Sequence, residues 1–280
     1  MRRPAAPRRG RGISVDTDRA NIQFWNELCG TWLARSLGIT DHGLDSLRRF
    51  DRAYLRLYPY LLEYVNLTSL AHRRVLEIGL GYGTLGQTVA EAGAEYVGLD
   101  LADTPVQMMR QRLQLFRLSG SCLQGSALSL PIASESMDCV ISIGCLHHTG
   151  DVQRGLDEIH RVLRRGGSAV LMLYNQFSYR HWTRWPIATA RALLREHGIS
   201  VGEAPVTDTQ RRVYDAAASG QGPPETVFLS TGRLRQMLGR FSRVELHKEN
   251  TDNLLLLPRR WWLRSVGRWA GLDIYVRAQK

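Results

Sequence analysis

The 280-residue chain predicts an α/β fold built on a Rossmann-like, doubly wound sheet. Three observations predict it. Val75-Leu-Glu-Ile-Gly-Leu-Gly-Tyr-Gly-Thr84 is a short apolar run that passes into a glycine-rich turn and then a helix. The next apolar run, Tyr96-Val-Gly-Leu-Asp100, ends in an acid. Further apolar runs, Ser136–Ile143 and Ser168–Tyr174, alternate with helical stretches, as strands covered on both faces should.

In chain order, Met1 to Gly12 carries five arginines and no acid, and residues 1–18 read as a solvated, disordered tail. Helical spacing follows over Asn21–Ala34 and over Leu47–Val65, where Phe50, Tyr54, Leu57, Tyr58 and Leu61 recur at three- and four-residue steps. Residues 19–71 are therefore helices ahead of the first strand. Residues 72–175 form the core. There Thr84 is the expected N-cap and Gly93 the expected C-cap of the helix after the glycine turn. Residues 176–230 interrupt the pattern with an aromatic, basic run (Phe177–Trp185), a helix (Ile187–His197) and a long loop rich in Gly, Pro, Asp and Thr (Val201–Pro224). Residues 231–280 rejoin the same domain with a helix from Thr231 to Phe241 and strands over Arg243–Lys248 and Asp273–Ala278.

The glycine turn carries the chemistry. Gly79, Gly81 and Gly83 let the backbone approach a ligand, and Asp100 can accept both hydroxyls of a ribose. The dinucleotide fingerprint places its third glycine three positions after the second. Here that position is Thr84, and the pattern is Glu-x-Gly-x-Gly-x-Gly. A carboxylate at Glu77 suits a cofactor with an ammonium and a sulfonium, and opposes a pyrophosphate. A nicotinamide oxidoreductase is disfavoured on that ground.

These residues resemble the class I S-adenosylmethionine-dependent methyltransferases, in particular the quinone-type and small-molecule subset. The likeness continues through Gly125–Pro131, Ser136–Ile143, Leu146–Thr149, Arg154–Gly167 and Ser168–Tyr174, and is close over about residues 72–175. It implies seven strands with an antiparallel last strand, N-terminal lid helices and an insertion after strand five that builds the acceptor pocket. It implies S-adenosyl-L-methionine as cofactor, with Glu77 near its amino-acid end, Asp100 on the ribose, Leu101 against the adenine, and Ser126 and Ala127 at the adenine edge. Ser126 stands where the family usually has an aspartate, and a hydroxyl accepts more weakly than a carboxylate. His148, with His147 beside it, is the candidate base. Tyr54, Tyr174, Asn175 and His181 are candidate acceptor contacts, with bracing roles as the alternative for the histidines. The expected activity is O-, N- or C-methylation of a small-molecule acceptor in biosynthesis. An RNA methyltransferase and a cofactor-binding protein without catalysis are the alternatives.

Bulk properties bound the partners. The net charge of +11 invites nucleic acid, but only Lys248 and Lys280 are lysine and the tail holds five of the arginines. The Asn/Asp-Pro-Pro-aromatic and Pro-Cys motifs of nucleic-acid methyltransferases are absent, since Gly144-Cys-Leu-His147 follows the fourth strand. Cys29, Cys122, Cys139 and Cys145 form no C-x-x-C pair, so no metal site is expected. Leu254–Leu257 is far too short to span a bilayer. The start has no apolar segment of the secretory kind, and a cytoplasmic setting is expected. Between the last two strands, Pro258–Arg264 and Arg268-Trp269 interleave tryptophan with arginine. Membrane contact is one reading. The preferred one is a helix that packs its tryptophans on the domain and points its arginines outward.

Overall fold

The computed structural model describes residues 15–28, 31–202, 205–252 and 259–280. Of the tail read over residues 1–18, residues 1–14 lie outside the described residues, as do Cys29 and the Leu254–Leu257 run, whereas residues 15–18 are the first turn of a helix. The elements run α1 (Val15–Leu28), α2 (Thr31–Ser36), α3 (Leu44–Leu57), α4 (Leu61–Val65), β1 (Arg74–Ile78), α5 (Thr84–Glu91), β2 (Glu95–Asp100), α6 (Asp103–Leu115), β3 (Ser121–Gln124) and β4 (Met137–Ile143). They continue α7 (Val152–Val162), β5 (Leu163–Tyr174), α8 (Tyr179–Arg184), α9 (Pro186–Glu196), α10 (Asp208–Arg212), α11 (Thr231–Met237), β6 (Arg243–Glu249), α12 (Arg259–Arg264), α13 (Val266–Ala270) and β7 (Asp273–Gln279).

The seven strands order as β3-β2-β1-β4-β5-β7-β6. β1 to β5 run parallel, and β7 is antiparallel to both β5 and β6. This is the Rossmann-like sheet the sequence predicts. Alternation along β1 sends Leu76 and Ile78 to one apolar layer, with Leu156 and Ile159 of α7 and Leu234 of α11. Val75 faces the other, with Val89 of α5, Met109 of α6 and Tyr64 of α4. Chain order reverses between β1 and β4, so the carboxyl ends of β1, β2, β4 and β5 open on one crevice, the place where such sheets hold ligands.

Local differences from the expected elements have local causes. The helix read as Leu47–Val65 stops at Leu57, because Pro59 lacks an N–H and disfavours helical backbone at Tyr58. Thr84 is not the cap of α5. Gly83 takes that place at φ 80°, and the Thr84 hydroxyl instead donates to Asp51 Oδ1 of α3 (2.7 Å). The loop read over Val201–Pro224 contains α10, opened by a reciprocal capping box of Thr207 and Gln210. Trp261 and Trp269 do not pack on the domain as preferred: they are 63% and 83% exposed, and only Trp262 is half-buried.

The helices ahead of the sheet are fastened by polar contacts. Arg112 of α6, fully buried, pairs with both carboxylate oxygens of Asp51 (2.9 and 3.0 Å), and donates to Gln87 Oε1 and the Tyr82 carbonyl. This clasp ties α3 to the glycine turn. α1 is tied by Asn21 to the His148 carbonyl (3.1 Å) and by Glu27 to the Ala218 N–H (3.0 Å).

Candidate active site

One cavity of about 820 Å³ opens at the carboxyl ends of the strands, within the range of small-molecule sites. Its first half is backbone. Gly79 and Gly81 take φ of 85° and 51°, which β-carbon sterics disfavour in other residues. A Cβ at Gly79 would strike Cys145 at 2.5 Å. A Cβ at Gly81 would meet nothing within 4 Å, and Gly81 lines the cavity. The turn is thus shaped on one side by packing and open on the other to a ligand.

Asp100 ends β2 beside this turn. Its Oδ2 accepts the Leu80 N–H (2.8 Å) and its Oδ1 the Ala102 N–H (2.9 Å). Those bonds fix the carboxylate, which lines the cavity. Burial raises its pKa above the ordinary carboxylate value, while the backbone N–H groups oppose that rise. Glu77 is buried on the same side as Val75. Tyr96 donates to its Oε2 (2.5 Å), and burial pushes its pKa up to about 8 despite that hydrogen bond. Leu101, Ser126 and Ala127 line the cavity; the Ser126 Oγ accepts the Leu128 N–H (3.2 Å). The donor set fits an adenosine-type ligand: a fixed carboxylate for the ribose, an open glycine turn, and an apolar and amide edge for the base. A cation at Glu77 would favour that carboxyl's charged form.

The second half is side chain. From the turn, Tyr82 stacks on Phe50 (3.9 Å between rings), Phe50 faces Tyr54 (6.2 Å), and Tyr54 faces Tyr58 (5.0 Å). This wall runs along α3 at four-residue steps. Opposite stands Tyr174, at the end of β5, whose hydroxyl donates to Asp215 Oδ2 (2.6 Å). The same oxygen lies 3.5 Å from His148 Nε2. His148 Nδ1 sits 2.8 Å from the Glu225 carbonyl. A carbonyl only accepts, so that nitrogen carries the proton and Nε2 holds the free lone pair. Trp25 of α1 covers the imidazole at 4.7 Å, leaving His148 4% exposed. Deeper, Asp273 accepts from Asn250 (2.8 Å), and burial pushes its pKa up to about 7.

Of the residues singled out from sequence, Glu77, the three glycines, Asp100, Leu101, Ser126, Ala127, Tyr54, His148 and Tyr174 line this cavity. His147, Asn175 and His181 are not among the lining residues. His147 is fully buried behind Tyr174 (4.0 Å), its ring nitrogens unpartnered among the described residues; burial and His148 hold its pKa well below the usual value. Asn175 spends its side chain on the Gly271 carbonyl and the Phe177 N–H. His181 packs inside the insertion near Ser178 and the Asn175 carbonyl, with its pKa lowered by burial to about 4. Sequence reading missed Trp25, Tyr214, Asp215 and Asp273. Asp273 carried a signal, as an acid opening an apolar strand, and Trp25 lies in the helical spacing over Asn21–Ala34; Tyr214 and Asp215 sit in a segment without periodicity.

Residues 76–171 match the methyltransferase domain family. The chain is 36% identical over 119 residues to a phthiotriol/phenolphthiotriol dimycocerosates methyltransferase of Mycobacterium leprae, a match covering 42% of each protein. It is 31% identical over 102 residues to a demethylmenaquinone methyltransferase of Tropheryma whipplei, covering 36% of this chain and 41% of the relative. The chain thus matches less than half the length of these relatives. In fold it is similar to an S-adenosylmethionine-dependent methyltransferase from Mesorhizobium loti (TM-score 0.53, 18% identity, 78% of this chain and 97% of the other). It is also similar to one from Archaeoglobus fulgidus (TM-score 0.52, 14% identity, 83% and 94%). The glycine turn and the central strands lie in the matched span: residues 76–171 of the chain form a methyltransferase domain.

Proposed function

We propose that this protein transfers a methyl group from S-adenosyl-L-methionine to a small-molecule acceptor at oxygen, nitrogen or carbon. The observation that carries this is the cavity at the carboxyl ends of the strands. It joins the glycine turn and Asp100 to an aromatic wall holding a histidine with a free Nε2. The relatives support a small acceptor, since their names give phthiotriol dimycocerosates and demethylmenaquinone as what they methylate.

S-adenosylmethionine, when bound, supplies a methyl group already activated by a sulfonium. The chain's task is alignment and exclusion of water. Asp100 would hold the ribose hydroxyls, Leu101 and Ala127 would pack the adenine, and Ser126 would accept from its amino group. Glu77 would face the ammonium end. Tyr54 and Tyr174 flank the acceptor. His148 takes the acceptor's proton at Nε2, with its other nitrogen held by the Glu225 carbonyl. The Asp215 carboxylate, 3.5 Å away, stabilises the resulting imidazolium. Trp25 and α1 keep water from that step.

Calorimetry with S-adenosylhomocysteine tests the donor half, and His148→Ala tests the acceptor half. We expect micromolar or tighter binding in the parent. His148→Ala should lower turnover about a hundredfold with product affinity unchanged. Unchanged turnover would reduce His148 to a bracing role.

A further inference from the structure

Two segments of the chain are free of acidic residues and dense in arginine and tryptophan. Residues 176–195 hold four arginines, Trp182 and Trp185; residues 253–272 hold four arginines, Trp261, Trp262 and Trp269. Five of the chain's seven tryptophans are therefore in these two stretches. Both are rooted at the acceptor end of the cavity. Arg180 of α8 pairs with Asp252 (2.6 Å), to which Tyr179 also donates (2.7 Å). Arg259 of α12 donates to the Thr251 and Leu57 carbonyls and to Asn250 Oδ1. Arg180, Asp252 and Arg259 all line the cavity.

Just beyond these roots, large apolar side chains face water. Trp261 and Trp269 are 63% and 83% exposed, with Arg260 and Arg268 exposed beside them. The exposed positions are 260 and 261 on α12, 265 between the two helices, and 268 and 269 on α13. Trp262 and Leu263 between them turn inward and are only partly exposed. On α9, Ile187 (70% exposed) and Leu194 flank Arg191 at four- and three-residue steps. Leaving two indoles in water is costly, at about 25 cal/mol per Å² of apolar surface. Tryptophan with arginine, in stretches that hold no acid, is the composition that suits the headgroup layer of an anionic bilayer.

We propose that the Arg260–Trp261 and Arg268–Trp269 face docks on an anionic lipid bilayer and holds the acceptor end of the cavity against it. The indoles insert at the headgroup level while the guanidinium groups pair with lipid phosphate. A bulk polyanion would satisfy the arginines and leave the indoles in water. A second copy of this chain would set the arginines of one face against those of the other.

The test is co-sedimentation of the full chain with vesicles of phosphatidylcholine alone and of equal parts phosphatidylcholine and phosphatidylglycerol. The parent should sediment with the anionic vesicles. W261A/W269A should weaken that binding by about tenfold or more, and R260A/R268A by about fivefold for each arginine. Both variants replace exposed side chains, and their urea midpoints and S-adenosylhomocysteine affinity should match the parent's. Brominated lipid should quench fluorescence in the parent more than in W261A/W269A. Vesicle binding that survives W261A/W269A would assign the attraction to the basic tail and overturn the proposal. So would retention of RNA without vesicle binding, or a dimer that W261A/W269A dissolves.

Discussion

The two halves of the cavity are built by different means. The donor half is backbone and short-range: β1, the glycine turn and β2 lie within residues 74–101, and Asp100 is fixed by two neighbouring N–H groups. The acceptor half is side chain and long-range. Trp25, Tyr58, His148, Tyr174, Asp215 and Asp273 come from six separate segments, joined by single hydrogen bonds and ring contacts. A site made of backbone is specified by a motif, whereas one made of distant side chains is specified by the whole fold. The donor half should therefore be sensitive in stability, and the acceptor half in turnover.

The largest expected effect is on the donor side. Asp51→Ala leaves Arg112, which is fully buried, without its carboxylate. Removing one partner of such a pair should cost about 3–5 kcal/mol in urea unfolding. A loss below about 1 kcal/mol would show that the clasp does not hold α3 to the glycine turn.

Next is Glu77. Its folded pKa, about 8, lies above the 4.5 of an unperturbed glutamate. The folded state therefore holds this proton more tightly than the unfolded chain. The resulting stability is fully present below about pH 4.5 and is lost as pH rises to about 8. Glu77→Gln removes the ionisation and keeps an acceptor for Tyr96. Its stability relative to the parent should be smallest near pH 4 and should rise by a few kcal/mol towards pH 8. A difference that is flat with pH would contradict the buried carboxyl described here.

On the acceptor side, Asp215→Asn should change stability by less than about 1 kcal/mol, because Asp215 is partly exposed. It should lower turnover about tenfold or more, since the imidazolium proposed at His148 loses the carboxylate beside it. Equal turnover would remove Asp215 from the proposed chemistry. Tyr174→Phe should cost about 1 kcal/mol in unfolding, from its hydrogen bond to Asp215, and lower turnover less than Asp215→Asn does.

The contrast also explains what was legible in the sequence. The sheet and the glycine turn follow from periodicity and local sterics, and β1, β2, β4 and β5 fall where apolar runs lie. Thr84 was misplaced as a cap because its hydroxyl serves a tertiary partner, Asp51, 33 residues away. Helix α10 was legible in Thr207-Asp-Thr-Gln210, but the glycines and prolines around it masked the capping box. His148 and Tyr174 could be found because they follow strand ends. Asn175 and His181 sit near the same ends, yet backbone carbonyls claim them: Gly271 takes the Asn175 amide, and Asn175 itself faces the His181 ring. No local rule separates those two outcomes. Asp215 reaches Tyr174 across 41 residues, and only the folded chain brings them together.

The central claim is that the glycine turn and Asp100 hold the donor. Titration calorimetry of S-adenosylhomocysteine into the parent and into Asp100→Ala tests it most directly. The parent should bind at micromolar affinity or better, and Asp100→Ala should lose about 1.5–3 kcal/mol. Equal binding by the two proteins, or no binding by the parent, would contradict it.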